Sequence, residues 1–314
     1  MSAADVATQH RAHVVQRPWS AGRTARVAVM VIAAALVLYP IIGFVAMAFR
    51  SQTGVQEGTD GFLGLAGVSI QHAIDNWKTL TAYGPRGGGL FQRWLLNSVI
   101  VSVSGAVLAV VTALPAGFAM ARLRWRGRRF WLIVTLIAMA MPNTVLVIPI
   151  FLQVDAIGAV GQLWPVAVLM GFFPFGVYLS YIHFMTAMPH ELVEAARVDG
   201  LGEGGTFFRV ALPISKQAVA LVTFFSFVAN WTNFFLPLTL LTSSQQNKTL
   251  SIGLQEFIGA SPLFNPTSAA GLTVKLWMPE LAFATFISML PLLVVFIAAQ
   301  RFLIRGQTVG AVKG

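Results

Sequence analysis

The sequence predicts an all-α, polytopic membrane protein with about six transmembrane helices and one charged, cytoplasmic helix-turn-helix loop between them. Three observations predict it. Of 314 residues, 56% are hydrophobic and 10% charged, against about a quarter charged in a soluble domain, and the mean hydropathy is +0.74. Six apolar runs are each long enough to cross a hydrocarbon core of roughly 30 Å at about 20 residues per helix. The lysines and arginines collect in short segments between those runs, the pattern that sets membrane topology.

The runs are 27–49, 94–120, 130–153, 163–188, 218–241 and 276–304. Ala46-Met-Ala48, near the end of the first, resembles a signal cleavage site. That run exceeds an h-region of about 7–15 residues, so an uncleaved anchor is expected. A short glycine-containing turn, 155–161, joins the third and fourth runs and predicts a helical hairpin. With the amino terminus inside, 15 of the 21 lysines and arginines fall on the cytoplasmic side, including Arg122, Arg124, Arg126, Arg128 and Arg129. The positive-inside rule then places both termini in the cytoplasm. Residues 1–26 form an N-terminal tail, 27–304 the transmembrane domain and 305–314 a C-terminal tail. The outer segment 51–93 is polar and glycine-rich, with a short helix expected around 68–79, and 242–275 is the other large outer loop. Asn247-Lys-Thr249 matches a glycosylation acceptor, a pattern too short to carry weight.

Several function classes are excluded. The net charge of +10 comes without a basic stripe interleaved with stacking aromatics, so the predicted partner is a lipid bilayer and not nucleic acid. Cysteine is absent, which removes disulfides, thiolate catalysis and Cys-ligated zinc. His10, His13, His72, His183 and His190 have no metal-ligand spacing, so no metal site is predicted. No G-x-S-x-G, H-E-x-x-H or intramembrane acid pair occurs, so no catalytic residue is expected. Asp155 and Glu280 fall near the ends of runs, whereas an ion-coupled carrier usually keeps an acid at mid-membrane. The glycine-rich end, Gly306 to Gly314, lacks the G-x-x-x-x-G-K-[ST] spacing, so if transport is powered the motor is another polypeptide, and no cofactor is expected on this chain.

The loop after the fourth run carries the most information. Pro189 suits a first helical turn, and Glu191 and Glu194 follow where the helix dipole favours negative charge. The helix runs to Val198 and Asp199-Gly200 stops it. A second short helix is expected from Glu203 toward Pro213. Ala195 and Ala196 leave a low surface for a partner's groove, and Glu191, Glu194 and Arg197 recur at three-residue spacing. The segment reads either as a mechanical coupler or as an amphipathic loop resting on headgroups. In the fifth run, Asn230, Trp231, Thr232 and Asn233 form a polar-aromatic cluster. It suits sugar hydroxyls and C–H faces, or hydrogen bonding between helices. Asn97 and Ser98 carry the same two readings.

Glu194-Ala-Ala-Arg-Val-Asp-Gly200, with Phe208 and Leu212-Pro213 downstream, is similar to the EAA loop of permease subunits of binding-protein-dependent ABC importers. Trp94-Leu-Leu-Asn-Ser98, Arg122-Leu-Arg-Trp-Arg-Gly127, Ala187-Met-Pro189, Gln300 to Gly306 and Gly310-Ala-Val-Lys-Gly314 extend the resemblance from about Leu95 to the end. Together they resemble the carbohydrate-importer branch, and within it the maltose-transporter-like permeases. Relatives commonly carry a Trp-Asn pair and then an acid in the fifth run, where this chain reads Asn230-Trp-Thr-Asn233. The resemblance implies an inner-membrane permease working with a second permease subunit, two ATPase subunits that use ATP and Mg, and an extracytoplasmic solute-binding protein that delivers a carbohydrate. It implies an ATPase contact at Glu191, Glu194, Ala195, Ala196, Arg197, Asp199 and Gly200. It also implies a tail, with Gly310, Lys313 and Gly314, that reaches toward the ATPases. The rival readings are a permease of the same superfamily for a glycerol phosphate or polyol, and an ion-coupled carrier.

Overall fold

The first helix, α1 (Ala21–Ala48), has no polar face, and its most apolar stretch is not buried by the described residues. A helix apolar all round is at home in lipid. It belongs to a computed structural model that describes residues 21–57, 65–85, 88–269 and 274–308. The short α2 (Gln52–Glu57) and then α3 (Ile70–Ala82) follow. The Ser69 hydroxyl caps α3 by accepting from the Gln71 N–H, as the sequence predicts for a helix around 68–79. Buried Asn76 of α3 donates to the carbonyls of Ala48 (3.0 Å) and Arg50 (3.1 Å). It thereby satisfies backbone acceptors that the end of α1 leaves open.

The central element is α4 (Leu90–Arg122), 33 residues long. Its buried face is built from Ser102, Gly105, Ala106, Ala109, Ala113 and Gly117. Small residues let membrane helices approach closely, which is how they gain packing energy where lipid offers no hydrophobic drive. At Gly117 the approach is closest: a Cβ there would lie 2.4 Å from the Ser180 Cβ and 2.7 Å from the Tyr181 nitrogen. Both belong to the helix Pro174–Ala187.

Past the left-handed Gly127 (φ +95°) come α5 (Arg128–Ala140) and α6 (Asn143–Ala156). The third run is not one straight span; the two helices meet at 100°. Pro142 supplies no N–H and forces Met141 into extended backbone (φ −72°, ψ 128°), which ends a helix. The fourth run is likewise interrupted, between α7 (Leu163–Met170) and α8 (Pro174–Ala187). The expected hairpin is also altered, since α6 and α7 each pack on the helix Phe235–Leu241 more than on one another.

The loop segment forms α9 (His190–Val198) and α10 (Glu203–Thr206), then a π-helical turn (Phe207–Ala211) and α11 (Leu212–Ile214). A bend of 82° leads into α12 (Lys216–Trp231). The fifth run then breaks again, over 232–234, before α13 (Phe235–Leu241). Beyond it lie α14 (Leu250–Gly259), α15 (Pro266–Ala269) and α16 (Met278–Thr308). Glu280 is buried because it caps α16, accepting from the Trp277 N–H at 3.0 Å. Four helices or helix pairs are long and apolar enough to cross a membrane, and the two bent pairs bring the number to six.

Candidate coupling handle and transmembrane cleft

The segment from His190 to Ile214 stands at the end of the bundle where α4 and α8 terminate. Its first helix closes with a double hydrogen bond: the Leu201 N–H reaches the Ala196 carbonyl (2.9 Å) and the Gly200 N–H the Arg197 carbonyl (3.0 Å). This is the pattern that requires a left-handed residue after the C-cap. Gly200, at φ +79°, provides it. Glu191, Glu194, Ala195, Arg197, Asp199 and Gly200 are all exposed, and Val198 is 87% exposed despite its apolar side chain. Ala196 differs from the other predicted contact residues. It is only 4% exposed, facing the chain's own interior beside Val193. Arg197 pairs with Glu203 at 2.9 Å, linking α9 to α10 in a solvent-exposed bridge that contributes little stability.

The handle is braced from below. Val193 is fully buried with Phe207, Ala211, Met188 and Phe184 against Phe118 and Leu114 of α4. Burying a valine contributes roughly 1.5–3 kcal/mol. The rings of Phe118, Phe184 and Phe207 form a triangle with centroid separations of 5.4, 5.4 and 6.5 Å. They join α4, α8 and the π-helical turn in one packed unit.

Arg122, the last residue of α4, adds a polar link that sequence reasoning missed. Its Nε donates to the Phe184 carbonyl (2.9 Å), and its Nη2 donates to those of Met185 (3.2 Å) and Met188. These are acceptors that the end of α8 leaves without helical partners, and a cation is favoured there by the helix dipole. One guanidinium therefore pins α4 to the junction between α8 and α9.

A cleft of about 720 Å³ lies deeper in the bundle. It opens where three helix pairs break: Met141 and Asn143 line it from the α5–α6 bend, Phe173 and Pro174 from the α7–α8 interruption, and Asn230 and Asn233 from the α12–α13 break. Irregular backbone at membrane depth is tolerated where it faces a cavity or is buried in protein. Asn233 Oδ1 accepts from the Leu236 N–H at 3.4 Å, and Asn230 Nδ2 approaches Ser226 Oγ at 3.5 Å. Both amides line the cleft while making only these long side-chain bonds. Every lining side chain is neutral.

The model of the family of binding-protein-dependent transport system inner membrane components matches residues 113–309, which include the handle, the cleft and the last two spans. The chain belongs to that family. The arabinooligosaccharides transport system permease protein AraQ of Halalkalibacterium halodurans is 28% identical over 283 residues, covering 89% of this chain and 92% of the relative. The diacetylchitobiose uptake system permease protein DasC of Streptomyces coelicolor is 32% identical over 227 residues, 71% of this chain and 76% of the relative. Among solved structures, a bacterial ABC transporter involved in the import of the acidic polysaccharide alginate matches with a TM-score of 0.72 and 23% identity, over 88% of this chain and 95% of that one. That likeness carries the fold.

In this inner membrane component the remaining predicted site residues hold the structure together. Asn97 Nδ2 donates to the carbonyls of Gln246 (2.8 Å) and Lys248 (2.9 Å), and Ser98 Oγ accepts from the Leu250 N–H (2.7 Å). With the indole of Trp94 on the Gln245 carbonyl (2.9 Å), they clamp the segment before α14 onto α4. Neither residue lines the cleft. Trp231 also serves packing, donating to the Ser288 carbonyl of α16 at 3.0 Å and stacking on Phe227. Beside this clamp, the Lys248 ammonium meets Glu256. Burial, and then the charge of Glu256, push the Tyr83 phenol up to about 12, so it remains a donor toward Glu256 at 3.5 Å. Gly310, Lys313 and Gly314 of the tail lie outside the described residues.

Proposed function

We propose that the chain is one of two permease subunits of an ABC importer for a sugar or oligosaccharide, and that α9 is the helix through which separate ATPase subunits drive it. The observation that carries this reading is the handle: exposed, charged, apolar at Val198, and packed rigidly onto α4 and α8. A helix so braced moves its supports when it is moved. In this reading, two ATPase subunits hydrolyse ATP with Mg and close on each other. Their closure displaces the handles, and the spans rock to expose the cleft alternately to the two sides. An extracytoplasmic binding protein releases its sugar into the outward-facing state. The handle and both termini are cytoplasmic, and the tail with Gly310, Lys313 and Gly314 reaches toward the ATPases.

Two observations support a sugar as cargo. The relatives named above carry arabinooligosaccharides and diacetylchitobiose by their names. The cleft offers amides, a hydroxyl from Thr144 and aromatic faces with no cation, a lining suited to a neutral polyhydroxylated ligand and unsuited to a phosphate.

Glu194→Ala tests the reading, because Glu194 is exposed and its loss leaves the brace of α9 intact. In the reconstituted complex, uptake and ATPase stimulation by loaded binding protein should fall on the order of tenfold, within the usual range of coupling free energies, at unchanged subunit stoichiometry. Gly200→Val should act the same way, since a β-branched residue at φ +79° is strained although nothing lies within 4 Å of its Cβ. Wild-type uptake and stimulation in both variants would remove α9 from the mechanism.

A further inference from the structure

The five-residue link between α4 and α5 opens a second hollow, of about 610 Å³, lined by Leu123, Arg124, Trp125, Arg126, Arg128 and His190. Three arginines thus line one space. Among the described residues the ion pairs are Lys78–Asp75, Arg197–Glu203 and Lys248–Glu256, and none of these arginines takes part in one. Glu191 and Glu194, the nearest acids along α9, do not line the hollow. Among the described residues its positive charge is therefore uncompensated.

Its position in the membrane narrows the choice of ligand. The hollow lies where the apolar α4 ends, and Trp125 is fixed there by donating to the Ala119 carbonyl at 3.1 Å, as tryptophans of an interfacial belt sit at headgroup level. Directly beyond it, α5 exposes Phe130 (61%), Trp131, Ile133 and Ile137. A basic mouth continuous with an exposed apolar strip complements a molecule that is anionic at one end and apolar along its length. Arginines bind phosphate through paired N–H donors.

We propose that this hollow binds the phosphate headgroup of an anionic phospholipid, whose acyl chains lie along Phe130, Trp131, Ile133 and Ile137. The lipid bridges the α4–α5 link and His190, the first residue of α9, so its headgroup also steadies the base of the handle. The inference needs only that the helices cross a membrane and is independent of the sugar, the ATPases and the direction of transport.

The test reads lipid retention directly. The complex as purified is placed in nanodiscs of equimolar phosphatidylglycerol and phosphatidylcholine. It is released, and its bound lipids are weighed by native mass spectrometry. Wild-type complex should keep phosphatidylglycerol over phosphatidylcholine, and R124Q/R126Q/R128Q should lose that preference by about tenfold or more, given the contribution of each basic residue near an anionic surface. R129Q removes a neighbouring charge that does not line the hollow and should retain it. Equal losses in R126Q and R129Q would show diffuse surface attraction and overturn the site. So would equal retention of both lipids by the wild type. Loss of a partner subunit from the triple variant, with phosphatidylglycerol retention intact, would assign the hollow to a protein instead.

Discussion

Gly117→Val should reduce the accumulation of folded protein in the membrane several-fold. The added Cβ alone would come within 2.4 Å of Ser180 Cβ and 2.7 Å of the Tyr181 nitrogen, distances at which atoms overlap. The Tyr181 nitrogen belongs to the backbone of α8, so rotating a side chain does not relieve the clash. The two helices must separate by an ångström or more along a contact that also carries Ala113, Leu114 and Phe118. Overpacking typically costs 1–3 kcal/mol, and here the cost falls at or above the upper end, because α8 leads directly into the handle. Against a total stability of about 5–15 kcal/mol, that predicts a several-fold fall in detergent-extractable, monodisperse protein. Gly259→Ala is the matched control, since nothing lies within 4 Å of a Cβ there. Fluorescence-detected size-exclusion of tagged variants checks both; a normal Gly117→Val profile would show that α4 and α8 do not pack as described.

Arg122→Ala should leave the subunits assembled and loosen the junction between α8 and α9 from α4. Three carbonyls at the end of α8 lose their donor, and hydrogen bonds to a charged group contribute about 1.5–3 kcal/mol. The apolar brace of Val193, Phe207 and Phe118 remains, so the expected damage is to stiffness more than to folding. Basal ATP hydrolysis should persist while stimulation by loaded binding protein and uptake both fall, on the order of tenfold. Arg122→Lys should rescue only in part, because an ammonium is a single point of charge and cannot span three acceptors in the manner of a guanidinium. Full rescue by lysine would mean that charge, and not the fork, is what matters there.

The features legible in the sequence are those written locally. Apolar length and the scatter of basic residues give six crossings, and Pro189 with Asp199-Gly200 gives the bounds of α9 to within a residue. Helix breaks were not legible in the same way. Hydropathy is blind to a bend, and proline alone does not mark one: Pro40, Pro115, Pro149 and Pro291 all sit inside helices, while Pro142 and Pro174 follow interruptions. Whether a freed backbone group finds a cavity or a neighbour is decided by tertiary packing. Which face of α9 turns inward is decided in the same way: Ala196 is buried with Val193, whereas Ala195 is exposed. Asn97 and Ser98 carry two readings in the sequence, sugar ligand or hydrogen bonding between segments, and the partners that select the second lie about 150 positions away. Sequence spacing says nothing of contacts at that range.

The hollow, the handle and the cleft share one frame, α4, which touches the handle through Phe118, the end of α8 through Arg122, and the α12 side of the cleft through Gly105, packed on Asn230. Motion at one end therefore reaches the other through a single rigid element. The claim beneath that picture is that a separate ATPase holds α9, and the chain is convenient for testing it because it contains no cysteine. Ala195→Cys, at an exposed position on α9, should crosslink to a single cysteine placed in the surface groove of the ATPase subunit in the intact complex. The account predicts an efficient, specific crosslink in the nucleotide-free and ATP-bound states. No crosslink in any nucleotide state, from a complex that transports normally, would contradict it.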